Sequence, residues 1–173
     1  MKNIFKIVLL FLVSLCCINT AHSQKSRVFS CPIFSYSYPT NFAVYPLTPD
    51  LTPDIKFHAG NNDYEMSGGY IDYSIDSSIS IWDDDMFDNW RNKQYAPAMT
   101  LIDCEKVLLT TTAGKYKAIR VRCNFNEPKM GIVNYILINK GCLLIFNIYC
   151  KKTISKYSNP TEVDILMKGL VLK

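Results

Sequence analysis

Histidine is nearly missing from this 173-residue chain, which has His22 and His58 and no others. Only His58 lies beyond residues 1–23, and one histidine cannot build a multi-histidine metal centre; as a general base it would also need a nucleophile and an orienting partner. The spacings of several well-defined chemistries are missing too: no GxSxG, HExxH or GxGxxG occurs. There is no CxxC pair, so neither a thioredoxin-type site nor a zinc clip has support. Ala113-Gly114-Lys115 invites a phosphate-grip reading. A P-loop, however, puts a glycine five residues before that Gly-Lys and a Ser or Thr after it. Leu109 and Tyr116 stand in those places, so the stretch reads as a hairpin turn. Asp83, Asp84, Asp85 and Asp88 lack the alternation, glycine and distal glutamate of a calcium loop.

No Gly/Ser-rich or Pro-rich linker divides the chain, and nothing in it repeats at a fixed period. Its only long apolar run is at the start. Lys2 and Lys6 precede an apolar stretch from Ile7 to Ile18, followed by the small-x-small triplet Ala21-His22-Ser23. That is the layout of a secretory signal peptide over residues 1–23. The rival reading is a lipid anchor on Cys16 or Cys17, but the residue before each is Leu15 or Cys16, where a small residue is usual. Residues 24–173 then form a single domain, exported to a periplasmic or extracellular space and without a transmembrane segment after cleavage.

Charge is unevenly distributed. From Asp50 to Glu105 there are 12 acids and 3 bases; from Lys106 to Lys173 there are 12 bases and 3 acids. The basic residues fall singly between apolar ones, which is not the clustered, aromatic-interleaved pattern of a nucleic-acid surface. The two halves are expected to attract each other, with no nucleic-acid partner.

Cys31, Cys104, Cys123, Cys142 and Cys150 follow the signal segment. In an oxidising compartment some of them should pair, with one left over. If Cys142 and Cys150 end one strand, they stand roughly 26 Å apart and cannot bridge each other. Cys104 and Cys123 lie symmetrically about Ala113-Gly114. A ladder centred there sets them face to face, which makes them the candidate structural disulfide. Cys31 could meet Cys142 or Cys150. All five could also be buried free thiols.

Period-two alternation marks Phe34, Tyr36 and Tyr38 as a strand, with a second near Phe42 to Tyr45 after a Pro-Thr-Asn turn. Gln24 to Ser30 reads as a polar leader. "LTPDLTPDIKFHAGNND" reads as an exposed loop, and "YIDYSIDSSISIW" as one long or two paired strands. Acids followed by Met86, Phe87 and Trp90 predict a helix from Asp84 to Tyr95, ended by Pro97. "EKVLLTTT" and "YKAIRVRCNF" form a hairpin in which Ile119, Val121, Cys123 and Phe125 point one way. Arg120, Arg122 and Asn124 point the other way. "GIVNYILIN" and "CLLIFNIYC" flank the tight turn Asn139-Lys140-Gly141 and are apolar on both faces, so layers must cover them above and below. Asn159 as cap, Pro160 and Glu162 predict a last helix with Val163, Leu166, Met167 and Leu170 as its apolar stripe.

This order makes an α+β layered domain around a mostly antiparallel sheet. It resembles the Mog1/PsbP-like superfamily, and within it the small exported bacterial DcrB-like and PsbP-like proteins. The resemblance is carried by "YSYPTNFAVYP", by "AGKYKAIRV" with Gly114, by "GIVNYILINKGCLLIFNIY" and by "TEVDILMKGLVL". It implies an α-β-α sandwich and an accessory or binding role without enzyme activity or cofactor. DcrB-like members carry a lipobox, and this chain has no good one.

Arg120 and Arg122, two apart on one strand face, are the candidate ligand patch; the ordinary reading turns them to solvent or to the acids of the other half. The function expected is an exported, non-catalytic module binding a protein partner in the cell envelope. The alternatives are an immunity- or inhibitor-type protein and, third, a hydrolase using His58 and a free cysteine.

Overall fold

The computed structural model describes residues 26–47, 54–92, 97–155 and 161–173. The expected signal segment, the Thr-Pro-Asp triplets apart from Asp54, and the Asn159-Pro160 cap lie outside the described residues. The elements, in chain order, are β1 (Ser26–Ser30), β2 (Phe34–Pro39), β3 (Ala43–Val44), β4 (Ile55–Gly60), β5 (Tyr64–Asp72) and α1 (Asp84–Arg91). They continue with β6 (Met99–Thr110), β7 (Lys115–Phe125), β8 (Gly131–Asn139), β9 (Cys142–Cys150), α2 (Thr161–Leu166), a 3₁₀ turn (Met167–Gly169) and β10 (Leu170–Leu172). Every pairing is antiparallel. Seven strands form one sheet in the order β3-β4-β5-β9-β8-β7-β6, and β1-β2-β10 form a second, smaller one.

The four consecutive strands read from the sequence are β6 to β9, and they sit side by side as expected. β8 and β9 are covered on both faces because each face has its own core. On one face Tyr135, Leu137, Leu144 and Phe146 pack beneath Phe34 and Tyr36 of β2 and Met167 of the 3₁₀ turn. On the other face Ile119, Val121, Ile136 and Leu143 pack with Ile81, and with Met86, Phe87 and Trp90 of α1. A fully buried Phe or Leu contributes about 1.5–3 kcal/mol, so these two layers hold the sheet. The covering layers differ in kind: α1 on one face, the three-stranded sheet with α2 on the other.

Several local expectations are corrected. The polar leader is β1, which pairs with β2 from Ser26↔Pro39 to Ser30↔Ser35; its side chains are mostly exposed because it is an edge strand. β3 does not turn back on β2 but pairs with β4 in the large sheet. The segment read as an open loop contains β4, where Phe57 and Ala59 are buried and the turn is confined to Asn61–Asp63. Asn61 Oδ1 accepts from the amides of Asp63 and Tyr64 (2.9 Å each), which closes that turn. The alternating isoleucines after Asp72 are not a strand. Asp72, Asp76 and Asp83 accept from Ser74, Ser78 and Ser80 amides, offering the backbone local bonds in place of a ladder. α1 stops at Arg91, with the Asn92 amide donating to Asp88 O (2.8 Å).

The C-terminal stripe also changes its carrier. α2 is six residues long, and Leu170 opens β10 opposite Tyr36. A Cβ on Gly169 would lie 1.8 Å from Ser37 O, so the bare glycine lets the chain close onto β2. Three residues per turn keeps Met167 and Leu170 on one side, and both are fully buried.

Candidate functional site

The β6–β7 hairpin decides where the predicted site residues go. Thr110 pairs with Lys115, so the loop is Thr111–Gly114, closed by the Thr111 amide and hydroxyl donating to Gly114 O (2.8 and 3.1 Å). The ladder is therefore centred one residue earlier than Ala113-Gly114, and a bulge between Leu101 and Asp103 shifts it again. Cys104 comes opposite Val121, and Cys123 opposite Leu101. The predicted Cys104–Cys123 disulfide is corrected accordingly: neither cysteine is in a disulfide, and nor are Cys31, Cys142 and Cys150. Burial pushes the thiols of Cys104 and Cys123 up to about 11, and it raises Cys142 as well. At neutral pH such thiols carry almost no thiolate, the form that attacks carbon or sulfur.

The same register converts Arg120 and Arg122 from a patch into a buried network. Asp103 lies opposite Arg122 and Glu105 opposite Arg120. Arg122 forks onto Asp103, with Nε donating to Oδ1 at 2.8 Å and Nη2 to Oδ2. Arg120 donates from Nη2 to Glu105 Oε2 at 2.6 Å and from Nη1 to Asp164 of α2 at 3.2 Å. On its other flank β8 places Tyr135 opposite Arg120, and the Tyr135 hydroxyl donates to Asp164. The two arginines are 8% and 5% exposed, so they are not an open binding surface. Burial works against the Arg120 charge, but Glu105 and Asp164 outweigh it and its pKa is raised; Arg122 is raised chiefly by Asp103. Burial pushes the Tyr135 hydroxyl well above the usual phenol range. The network ties β6, β7, β8 and α2 together.

His58, on β4, is partnered by a carboxylate: its Nε2 lies 2.7 Å from Glu65 Oε1, with the Tyr45 ring 4.9 Å away between centroids. Its directly opposite neighbour is Ser67. Ser67 Oγ accepts from Asn147 Nδ2 (3.3 Å), and Asn147 Oδ1 accepts from Asn134 Nδ2 (2.6 Å). This polar row crosses β5, β9 and β8, and sequence reading passed over all of it. Among the described residues no group of three or more His, Cys, Asp and Glu is arranged to hold a metal ion, and no helix is long and apolar enough to cross a membrane.

Among the described residues β6 is an edge strand of the large sheet, as is β3 at the other side. β6 has twelve residues, and among the described residues only β7 pairs with it. Its first half carries the bulge and the charged Asp103, Glu105 and Lys106, devices that discourage edge pairing. Val107–Thr110 has none of these. Beside it a cleft of about 130 Å³ opens between β6 and α2, lined by Val107, Leu109, Arg120 and Lys168 among others. Leu108 and Ile165, also in its walls, are 51% and 50% exposed.

No family model matches the chain, and no curated protein matches it. Among solved structures it is similar to a crystal structure from Bacteroides thetaiotaomicron VPI-5482 at 1.50 Å, with a TM-score of 0.54 and 13% identity. The match covers 87% of this chain and 49% of that one, so this chain spans about half the length of its neighbour. At that identity the likeness concerns the fold alone.

Proposed function

We propose that this protein is an exported binding or accessory module of the cell envelope, without catalysis of its own, that holds a protein partner along the free edge of β6. One observation carries the reading: the uncharged stretch Val107–Thr110 lies on an edge that no other strand pairs among the described residues, beside a cleft flanked by half-exposed Leu108 and Ile165. An extended segment of a partner would add a strand there. Main-chain hydrogen bonds would supply affinity, and the cleft would receive one apolar side chain and supply specificity. The Mog1/PsbP-like resemblance agrees with such a role. On that reading α1 and α2 are the outer layers of an α-β-α sandwich whose second layer is partly replaced by the small sheet. An immunity- or inhibitor-type role would use the same edge and differ only in silencing the partner.

The test is purification of the tagged full chain from the envelope fraction of its source. A stoichiometric partner is expected with the native chain and lost with Leu108→Arg/Ile165→Arg. Substitutions at these exposed positions should leave stability within about 0.5 kcal/mol. A partner retained by the variant overturns the β6 surface. Turnover that disappears in His58→Ala would replace the binding reading with an enzymatic one.

A further inference from the structure

A second concavity lies at the end of the large sheet where the β6–β7 and β8–β9 turns meet. The register that pairs Ile119 with Ile136 carries Lys115 level with the Asn139–Cys142 turn, so Lys115, Lys117 and Lys140 converge. They line a cleft of about 340 Å³ whose apolar part includes Ile79, Ile138 and Leu172. No acid lines it. The acids nearest by accept hydrogen bonds from their own loop: Asp72, opposite Cys142, from the Ser74 amide, Asp76 from the Ser78 amide and hydroxyl, and Asp83 from the Ser80 amide. None of the three lysines has an ion-pair partner among the described residues; Lys117 Nζ instead lies 5.2 Å from the centre of the Trp82 ring.

The β8–β9 turn is held in place against the wall of this cleft. Asn139 pairs with Cys142, so Lys140 at φ 49° is a central residue of a two-residue hairpin turn, whose geometry calls for positive φ and holds this lysine at the tip. It is followed by Gly141 at φ 75°, whose carbonyl accepts from the Ile75 amide (2.9 Å) and fastens the turn to the loop that forms the cleft wall. The volume falls at the lower end of the range of small-ligand sites, about 300–1,000 Å³.

We propose that this cleft binds an anionic amphiphile, with a phosphate headgroup held by Lys115, Lys117 and Lys140 and an apolar body lying on Ile79, Ile138 and Leu172. The ligand is either a lipid presented by a membrane or a soluble organophosphate. The site is separate from the β6 edge and stands whether or not that edge takes a partner.

The experiment titrates the full chain with short-chain phosphatidylglycerol below its micelle concentration, with vesicles of phosphatidylcholine containing or lacking phosphatidylglycerol, and with inorganic phosphate alone. Saturable binding of the short-chain lipid, tighter than that of phosphate, is expected. Binding to anionic vesicles as well assigns a membrane source; binding only to the soluble form assigns a free ligand. Lys115→Gln/Lys140→Asn should weaken binding about fivefold per lysine removed, from about 1 kcal/mol for each cation near an anionic surface. Lys151→Gln/Lys152→Gln makes the same charge change at the opposite end of the sheet, where β9 ends at Cys150, and should leave binding unchanged. Absence of binding to every probe, equal losses in the two double variants, or phosphate binding as tightly as the lipid would each overturn the assignment.

Discussion

Asp164→Ala tests whether the buried network stabilises the fold. The Asp164 carboxylate accepts from the hydroxyl of Tyr135, which is fully buried, and from Nη1 of Arg120. Its removal strands the hydroxyl, at about 1–3 kcal/mol, and takes from Arg120 one of its two anions while Glu105 remains. The Asp164 side chain is 38% exposed, so water screens part of the second effect and can reach the vacated space. Together these give a loss of about 3 kcal/mol, or about 6–12 °C in Tm for a domain of this size.

The measurement is urea unfolding at neutral pH, with Tyr135→Phe and the double variant completing a cycle. Tyr135→Phe removes the hydroxyl that Asp164→Ala would leave unmatched, so the double variant should lose less than the sum, with a coupling of about 1–2 kcal/mol. Additivity to within about 0.5 kcal/mol, or Asp164→Ala as stable as the native chain, would refute the claim that this carboxylate is the joint between α2 and the sheet.

Two further outcomes follow from burial and close approach. Cys104 and Cys123 have pKa values raised from 9.0 to about 11, so their protonated state is built into the fold. Their contribution is intact below pH 9 and is lost as pH rises from 9 through 11, because the unfolded thiols ionise first. Urea midpoints should therefore fall more steeply over that interval in the native chain than in Cys104→Ala/Cys123→Ala, and equal slopes would refute the burial argument. Gly169→Ala would thrust a methyl to 1.8 Å from the main-chain oxygen of Ser37, so it should cost at least about 2 kcal/mol by calorimetry. An unchanged Tm would show that β10 does not lie against β2 as described.

Period two marked β7, and apolarity on both faces marked β8 and β9, because these strands bury most of their side chains; β6 was read only from Glu105, since of its twelve residues Leu109 alone is buried. Both patterns failed at β4 and β10, whose places come from distant partners: β4 pairs with β5, and β10 reaches back to β2 across most of the chain. The isoleucines after Asp72 misled for the opposite reason. Ile81 is buried and Ile75 packs against the same cluster from a loop, so their alternation records contact with the core without any strand pairing. The buried network was partly legible. Asp103 and Glu105, two apart, mirror Arg122 and Arg120, two apart, about the hairpin loop. Opposite charges at mirrored positions predict cross-strand ion pairs, provided the loop is given four residues. Centring the ladder on Ala113-Gly114 matched the two cysteines instead. Asp164 and Tyr135 left no local trace, since both enter through tertiary packing.

The charge asymmetry of the chain divides by chemistry as well as by position. From Lys106 onward the only arginines are Arg120 and Arg122, and both are buried against carboxylates from the acidic half or from α2. Guanidinium is weakly hydrated and matches a carboxylate with two parallel donors, so it tolerates that burial. Lysine keeps its water more tightly, and Lys115, Lys117 and Lys140 remain at the surface around the end of the sheet. The basic half therefore does two separate jobs: its arginines answer the acids of the first half inside the fold, and these lysines supply the positive field outside it. A chain with its lysines and arginines exchanged would keep positive charge around the cleft but lose the buried forks, since an ammonium cannot present the two parallel donors that Asp103 meets.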